Sequence, residues 1–266
     1  MGPFTASEAA ESPAQPAPPT LARRVRALWR IARSGVHMVY GLLLVTLFFG
    51  RSANDGALRM RHAQRWAAGF LRVLGVRVEA RGTPRPGAKL IVANHVSWLD
   101  ILVIDAVVPA RFVSKAEVRH WPLFGRLAVA VNTLFIERDR TRDALRVVHQ
   151  IAEALRAGDT VAVFPEGTTA DGRTLLPFHA NLLQAAIATA TPVQPVALRF
   201  ADAAHARSPA IEFVGEMTML QSVWAIACAQ GLCAQVEVLP AQSVAHADRR
   251  RLAERLREEI GAAIEA

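Results

Sequence analysis

His95 and Asp100 stand five residues apart in Asn94-His95-Val96-Ser97-Trp98-Leu99-Asp100, after the apolar run Lys89–Ala93 and before the apolar run Ile101–Val108. Histidine changes charge near neutral pH, which suits a general base. A carboxylate on its far ring nitrogen would fix the tautomer and steady the imidazolium. On a regular helix, five residues correspond to ~140° of rotation, so the two side chains would not face each other. They meet only if His95 lies in a strand-end loop and Asp100 in the first turn of the next helix, the place where α/β sheets put their sites. The same segment also reads as a capping box, with Ser97 at the N-cap and Asp100 three residues later. The segment alone leaves both readings open.

Two further groups carry potential chemistry. Phe164-Pro165-Glu166-Gly167-Thr168-Thr169 follows the apolar run Thr160–Phe164. Gly167 permits close backbone approach there, and the amides and hydroxyls after it can donate to an anion. By itself this is equally the composition of a plain turn. Lys115 and Arg138 each come just after an expected strand. They can converge on a phosphate, Arg138 as a bidentate fork and Lys115 as a point charge. Taken singly, each is equally read as a solvated surface charge.

These residues need elements to position them. Strand-like apolar runs occur at Val76–Ala80, Leu90–Ala93, Phe112–Ser114, Thr133–Ile136, Thr160–Phe164, Val193–Phe200, Ile211–Val214 and Val236–Leu239. Helical patterns lie between them. One runs over Arg142–Ala157, with Leu145, Val148, Ile151, Ala152 and Leu155 on one stripe and Gly158 placed to end it. Others cover Ala180–Ala190 and Ala247–Ala266, the last with Leu252, Leu256 and Ile260 as its stripe. Alternation of this kind predicts an α/β sandwich around one sheet, with no internal repeat.

The N-terminal part has a different character. Residues 1–20 are rich in Ala, Pro and Ser and are expected to be disordered. They carry Glu8 and Glu11 and no basic-then-apolar leader pattern. Arg23, Arg24, Arg26, Arg30 and Arg33 follow, then a mostly apolar run over Gly35–Gly50 closed by Arg51. A spanning helix needs ~20 apolar residues, so this run is short for one. Basic flanks at both ends favour a helix lying in one leaflet with arginines at the headgroups; a shallow span and a core helix are the alternatives. A second helix over Ala57–Leu74 would complete a hairpin.

The net charge of +8 favours a polyanionic partner. No basic run is interleaved with aromatics, which argues against nucleic acid and leaves an anionic membrane surface or phosphorylated substrates. The two cysteines, Cys228 and Cys233, are too few for a disulfide framework and match no zinc spacing. They sit in an apolar stretch read as helical, and are expected to be buried free thiols.

In combination the blocks resemble the glycerophospholipid acyltransferase family over roughly Val76–Arg199. Asn94-His95 through Asp100 resembles its His-x4-Asp motif. Asn132-Thr133-Leu134-Phe135-Ile136-Glu137-Arg138 resembles its Gly-x-x-Phe-Ile-x-Arg block, and Phe164-Pro165-Glu166-Gly167-Thr168 its Phe-Pro-Glu-Gly-Thr block. Thr191-Pro192-Val193-Gln194-Pro195-Val196 resembles its proline-containing fourth block. Each block alone is weak, but four in order at matching spacing are strong.

The resemblance implies a single mixed sheet flanked by helices, preceded by an N-terminal membrane-associated helical hairpin. The domain division would be a tail over 1–20, membrane-associated helices over 21–74 and an acyltransferase domain over 75–266. It implies transfer of a fatty acyl group from acyl-CoA or acyl-carrier protein to a lysophosphatidic acid hydroxyl, giving phosphatidic acid. His95 would be the base and Asp100 its orienter. Arg138, helped by Glu166, Gly167 and Thr168, would hold the acceptor's phosphate, with Lys115 as an additional contact. No cofactor and no metal is implied, and the expected location is the cytoplasmic face of a membrane.

Two positions depart from the family pattern. Asn132 stands where Gly is usual, which bears on the turn before Arg138. Thr169 stands where many members have Arg, which removes a phosphate contact and leaves open another acceptor such as a lyso-ornithine lipid. A serine hydrolase using Ser97 or Ser114 fits poorly, because neither sits in a Gly-x-Ser-x-Gly elbow. A non-enzymatic lipid-binding protein would leave the His95/Asp100 pair without a use.

Overall fold

Successive side chains of a strand point to opposite faces, so a run apolar at every position asks to be covered on both sides. The computed structural model describes residues 20–49, 56–136 and 141–266. Among these, seven strands form one sheet. They are β1 (Arg77–Arg81), β2 (Lys89–Ala93), β3 (Arg111–Lys115), β4 (Leu134–Ile136), β5 (Thr160–Val163), β6 (Val193–Ala201) and β7 (Cys233–Val238), in the order β1-β7-β6-β2-β5-β3-β4. Every neighbouring pair is parallel except β6–β7, so the sheet is mixed.

All of β2 is buried. Its Ile91 and Ala93 join a core with α1 (Leu21–Leu44), α2 (Gly56–Leu74), α3 (Leu99–Val107) and α7 (Met219–Cys228). Its Leu90 and Val92 face the other way, toward α5 (Thr141–Arg156), α6 (Gln184–Ala188) and α8 (Arg249–Glu265). Burying a side chain of this size contributes ~1.5–3 kcal/mol, so the two cores anchor the central strand that carries His95. A short α4 (Phe124–Ala130) precedes β4.

The expected α/β alternation is present, with instructive exceptions. Ile211–Val214 forms no strand. Ile211 is buried and the Phe213 carbonyl accepts the Thr169 hydroxyl, so the segment's apolar residues serve a loop. Of the α5 stripe, Ile151, Ala152 and Leu155 are buried as expected, but Leu145 is 64% exposed, and Val147 and Ala154 are buried beside them. The cysteines do not share a helix: Cys228 ends α7 and Cys233 opens β7, both as free thiols. Asn132 has φ +56°. Asparagine is among the few non-glycine residues that enter the left-handed region readily, so the turn before β4 is kept without glycine.

The tail, up to residue 19, and the end of the Gly35–Gly50 run with Arg51 lie outside the described residues. α1 itself packs into the body. Its buried residues are small or slender, Ala27, Ser34, Met38 and Gly41. His37 Nε2 lies 2.9 Å from the Trp66 carbonyl, and Trp66 Nε1 donates to the His37 carbonyl at 3.1 Å, tying α1 to α2. A Cβ at Gly41 would fall 2.3 Å from Trp66 Nε1, so only glycine admits this approach. Arg30, expected at lipid headgroups, is turned inward. Its Nη1 donates to the Ala227 and Ala229 carbonyls at 2.9 and 2.8 Å, closing the C-terminus of α7 where the helix dipole favours a cation. The large apolar residues of α1 face outward, including Val25, Trp29, Val36 and Tyr40. No described helix is long and apolar enough to cross a membrane.

Candidate active site

Parallel pairing sets β2 beside both β5 and β6, so what leaves the carboxyl end of β2 meets what leaves theirs. Asn94 continues that pairing with its side chain. Its Nδ2 donates to the Leu198 carbonyl at 3.0 Å, and its Oδ1 accepts the Leu198 amide at 2.7 Å. The backbone is thereby pinned one residue before His95.

His95 lies in the loop and Asp100 in the first turn of α3, the arrangement the spacing requires. His95 Nδ1 is 2.8 Å from Asp100 Oδ2. The same oxygen accepts the amides of Val96 at 2.6 Å and Ser97 at 2.9 Å, and Asp100 is fully buried. A carboxylate accepts only, so His95 Nδ1 is the donor and Nε2 carries the lone pair. The imidazole is 18% exposed. Phe164 stacks on it at 4.1 Å between ring centroids and 12° between planes, fixing its tilt.

The capping box forms only by half. The Ser97 amide donates to Asp100, but Ser97 Oγ accepts from Leu99 at 3.4 Å and the Asp100 amide goes to the Ser97 carbonyl. Trp98 is the residue that precedes α3, with no side-chain cap. Ser97 is fully buried, which removes it as a nucleophile.

Both carboxylate oxygens of Glu166 are taken up by backbone amides. Its Oε1 accepts the His95 amide at 2.7 Å and its Oε2 the Leu176 amide at 2.9 Å. Burial pushes its carboxyl up from the usual range, opposed by the Leu176 and His95 amides and the nearby His95 ring. It clamps the histidine loop to the β5 turn. Gly167 has φ +73°, and a Cβ there would come within 3.1 Å of the His179 ring. Thr168 is exposed at the same turn, and Lys115 is exposed at the end of β3. His95, Lys115, Glu166, Gly167 and Thr168 all line one cavity of about 970 Å³. Arg138, two residues past β4, lies outside the described residues.

The cavity is otherwise mostly apolar and runs beneath α1 and α2. Gly41, Leu44, Ala63 and Trp66 form that wall, and Trp98 with Ile101 and Leu102 of α3 another. Sequence reasoning gave no role to Phe164 or Asn94, although both stand inside the motif blocks, and it missed His179 and Asp105, which carried no local signal. Among the described residues no group of His, Cys, Asp and Glu could hold a metal ion.

A histidine–carboxylate pair at a strand end, beside a mostly apolar cavity in a mixed α/β sheet, is an arrangement suited to acid–base chemistry on an apolar substrate. The acyltransferase family model matches residues 75–199. The 1-acyl-sn-glycerol-3-phosphate acyltransferase of Neisseria gonorrhoeae is 36% identical over 194 residues, 72% of this chain and 75% of that protein. The lyso-ornithine lipid O-acyltransferase of Pseudomonas aeruginosa is 40% identical over 181 residues, 66% of this chain and 70% of that one. The crystal structure of the 1-acyl-sn-glycerophosphate acyltransferase of Thermotoga maritima superposes with a TM-score of 0.69 at 18% identity, covering 92% of this chain and 97% of that one, a likeness of fold. The chain belongs to the glycerophospholipid acyltransferase family and is an O-acyltransferase.

Proposed function

We propose that this enzyme moves a fatty acyl group from acyl-CoA or acyl-carrier protein to the free hydroxyl of 1-acyl-sn-glycerol 3-phosphate, giving phosphatidic acid. The observation that carries the reading is the 2.8 Å His95–Asp100 contact at the mouth of a mostly apolar cavity of about 970 Å³. His95 Nε2 takes the proton of the acceptor hydroxyl, and the oxygen attacks the thioester carbonyl. The tetrahedral centre then expels the thiolate, which recovers the proton from Nε2. Asp100 holds the tautomer and balances the imidazolium. General-base help is worth ~10²–10⁴-fold, and alignment of two lipids in one cavity contributes further. Lys115, Thr168 and Arg138 are the groups assigned to the acceptor's headgroup, with Glu166 and Gly167 shaping the turn that presents them.

The acceptor of the Pseudomonas relative gives a second reading, a lyso-ornithine lipid. Thr169 supports it: its hydroxyl is used on the Phe213 carbonyl, so no guanidinium stands there to meet a phosphate. We assign residues 21–74 to membrane association at the cytoplasmic face, through the outward apolar face of α1, and residues 75–266 to catalysis. α1 and α2 share a core with the α/β body, which supports a cavity lying close to the lipid surface.

The test is thiol release from acyl-CoA and from acyl-carrier protein, with and without each lyso-lipid. Release that requires lysophosphatidic acid supports the first reading, and release that requires the lyso-ornithine lipid supports the second. His95→Ala should lower either by at least ~10²-fold with unchanged melting. Activity within about tenfold of the native enzyme would refute the base assignment.

A further inference from the structure

The face that α3 turns to the cavity is a single helical stripe, Trp98, Ile101, Leu102 and Asp105. That is i, i+3, i+4, i+7 spacing, so the four side chains line up along one side of the helix. The first three suit a hydrocarbon chain. The fourth is a carboxylate with 8% exposure. Its Oδ1 accepts the Ala110 amide at 3.3 Å. Among the described residues, no hydrogen bond reaches its Oδ2. Burial pushes the carboxyl up to about 7, against an ordinary 3.8, which reflects how dry its surroundings are.

Nothing in the reaction at His95 needs this group. At 1.5 Å per residue it lies ~7.5 Å farther along α3 than Asp100, away from the catalytic end. Gln64 of α2 braces this end of α3, its Nε2 donating to the Ala106 carbonyl at 3.1 Å. The stripe is held rigidly where the carboxylate meets the cavity.

We propose that Asp105 is the polar stop of the acyl cavity, the residue that sets the length of fatty acyl chain the enzyme accepts. The proposal rests on the acyl-transfer reading above. A chain whose carbonyl sits at His95 runs along Trp98, Ile101 and Leu102. Each methylene that leaves water there improves binding about fourfold. A methylene pressed against Asp105 gains less, because its neighbour there is a carboxyl whose Oδ2 has no hydrogen bond among the described residues to offset the loss of water. Affinity should therefore rise with chain length and break at the chain that reaches Asp105.

The experiment uses the full chain, native and as Asp105→Leu and Asp105→Asn. Saturated fatty acids of increasing length are titrated against the fluorescence of the cavity tryptophans, Trp66, Trp98 and Trp121. In parallel, acyl-CoAs of the same lengths are compared in transfer to lyso-lipid. In Asp105→Leu the break should move to longer chains, with about a fifteenfold gain for the first chain two carbons past the native limit. Asp105→Asn, close to the native shape, should move it less in the same direction, and guards against misfolding of the leucine variant. The same break in all three proteins would overturn the proposal. Absence of transfer to any lyso-lipid by the native chain would overturn the functional reading instead, and the fatty-acid titration would still decide the role of Asp105.

Discussion

Asp100→Asn separates two things the carboxylate does. One oxygen, Oδ2, receives all three donors: His95 Nδ1 and the amides of Val96 and Ser97. The other, Oδ1, is buried without a partner. An asparagine that keeps its oxygen in the Oδ2 position retains every hydrogen bond, and the two backbone amides oppose the flipped amide because it would set donor against donor. The His95 tautomer should survive, and what is lost is the negative charge. Two unit charges ~4 Å apart at an effective dielectric of ~20 attract by ~4 kcal/mol. That charge steadies an imidazolium formed only as the proton leaves the acceptor, so the loss falls on kcat, by ~10³-fold. The new amide group points where no acceptor waits, which should cost ~1–3 kcal/mol of stability. The assay is thiol release under saturating acceptor, with thermal melting alongside. If kcat stays within about tenfold while melting drops, Asp100 is a helix-start brace and the coupling argument is wrong.

Other perturbations test the supporting structure. Glu166→Gln leaves one of the two amides now held by the carboxylate facing a donor, so unfolding should become easier by ~1–3 kcal/mol and turnover should fall as the His95 loop loosens; urea titration and kcat measure both, and no change in either would remove the clamp. The folded carboxyl of Asp105 holds its proton up to about 7 while the unfolded one releases it near 3.8, so the native fold loses stability as pH rises between those values. Asp105→Asn should therefore gain on the native protein as pH rises, by at most about 4 kcal/mol at 1.36 kcal/mol per pH unit, and a stability difference that is flat between pH 5 and pH 8 would mean the carboxyl is not held neutral. Trp29→Glu and Val36→Glu, on the outward face of α1 at 63% and 71% exposure, should weaken binding to anionic vesicles with little change in melting, as read by co-sedimentation; undiminished binding would remove α1 as the docking face.

Some of this was legible locally. The apolar runs that became β2, β5 and β6 show themselves because a doubly covered strand is apolar at nearly every position. The α8 stripe shows itself because Leu252, Leu256 and Ile260 recur at helical spacing, and all three are buried. The meeting of His95 with Asp100 follows from chain geometry once a strand end and a helix start are placed on either side of the pair. Periodicity and short-range spacing are properties of the chain itself, so sequence suffices for them.

What depended on distant partners was decided only by the tertiary structure. Arg30 sits among other arginines and is indistinguishable from them in sequence, yet its guanidinium closes the end of α7, 197 and 199 positions away in the chain. Glu166 belongs to a block that looks ligand-facing, but the register of β2 beside β5 directs both of its oxygens onto backbone amides. Ile211–Val214 has strand composition, but its residues pack a loop against the site and join no strand of the sheet. Asp105 reads as the polar end of an apolar helix until α2 and β3 enclose it beside the cavity. In each case the deciding quantity is which group, far off in sequence, satisfies a buried charge or hydrogen bond, and that is set only when the sheet assembles.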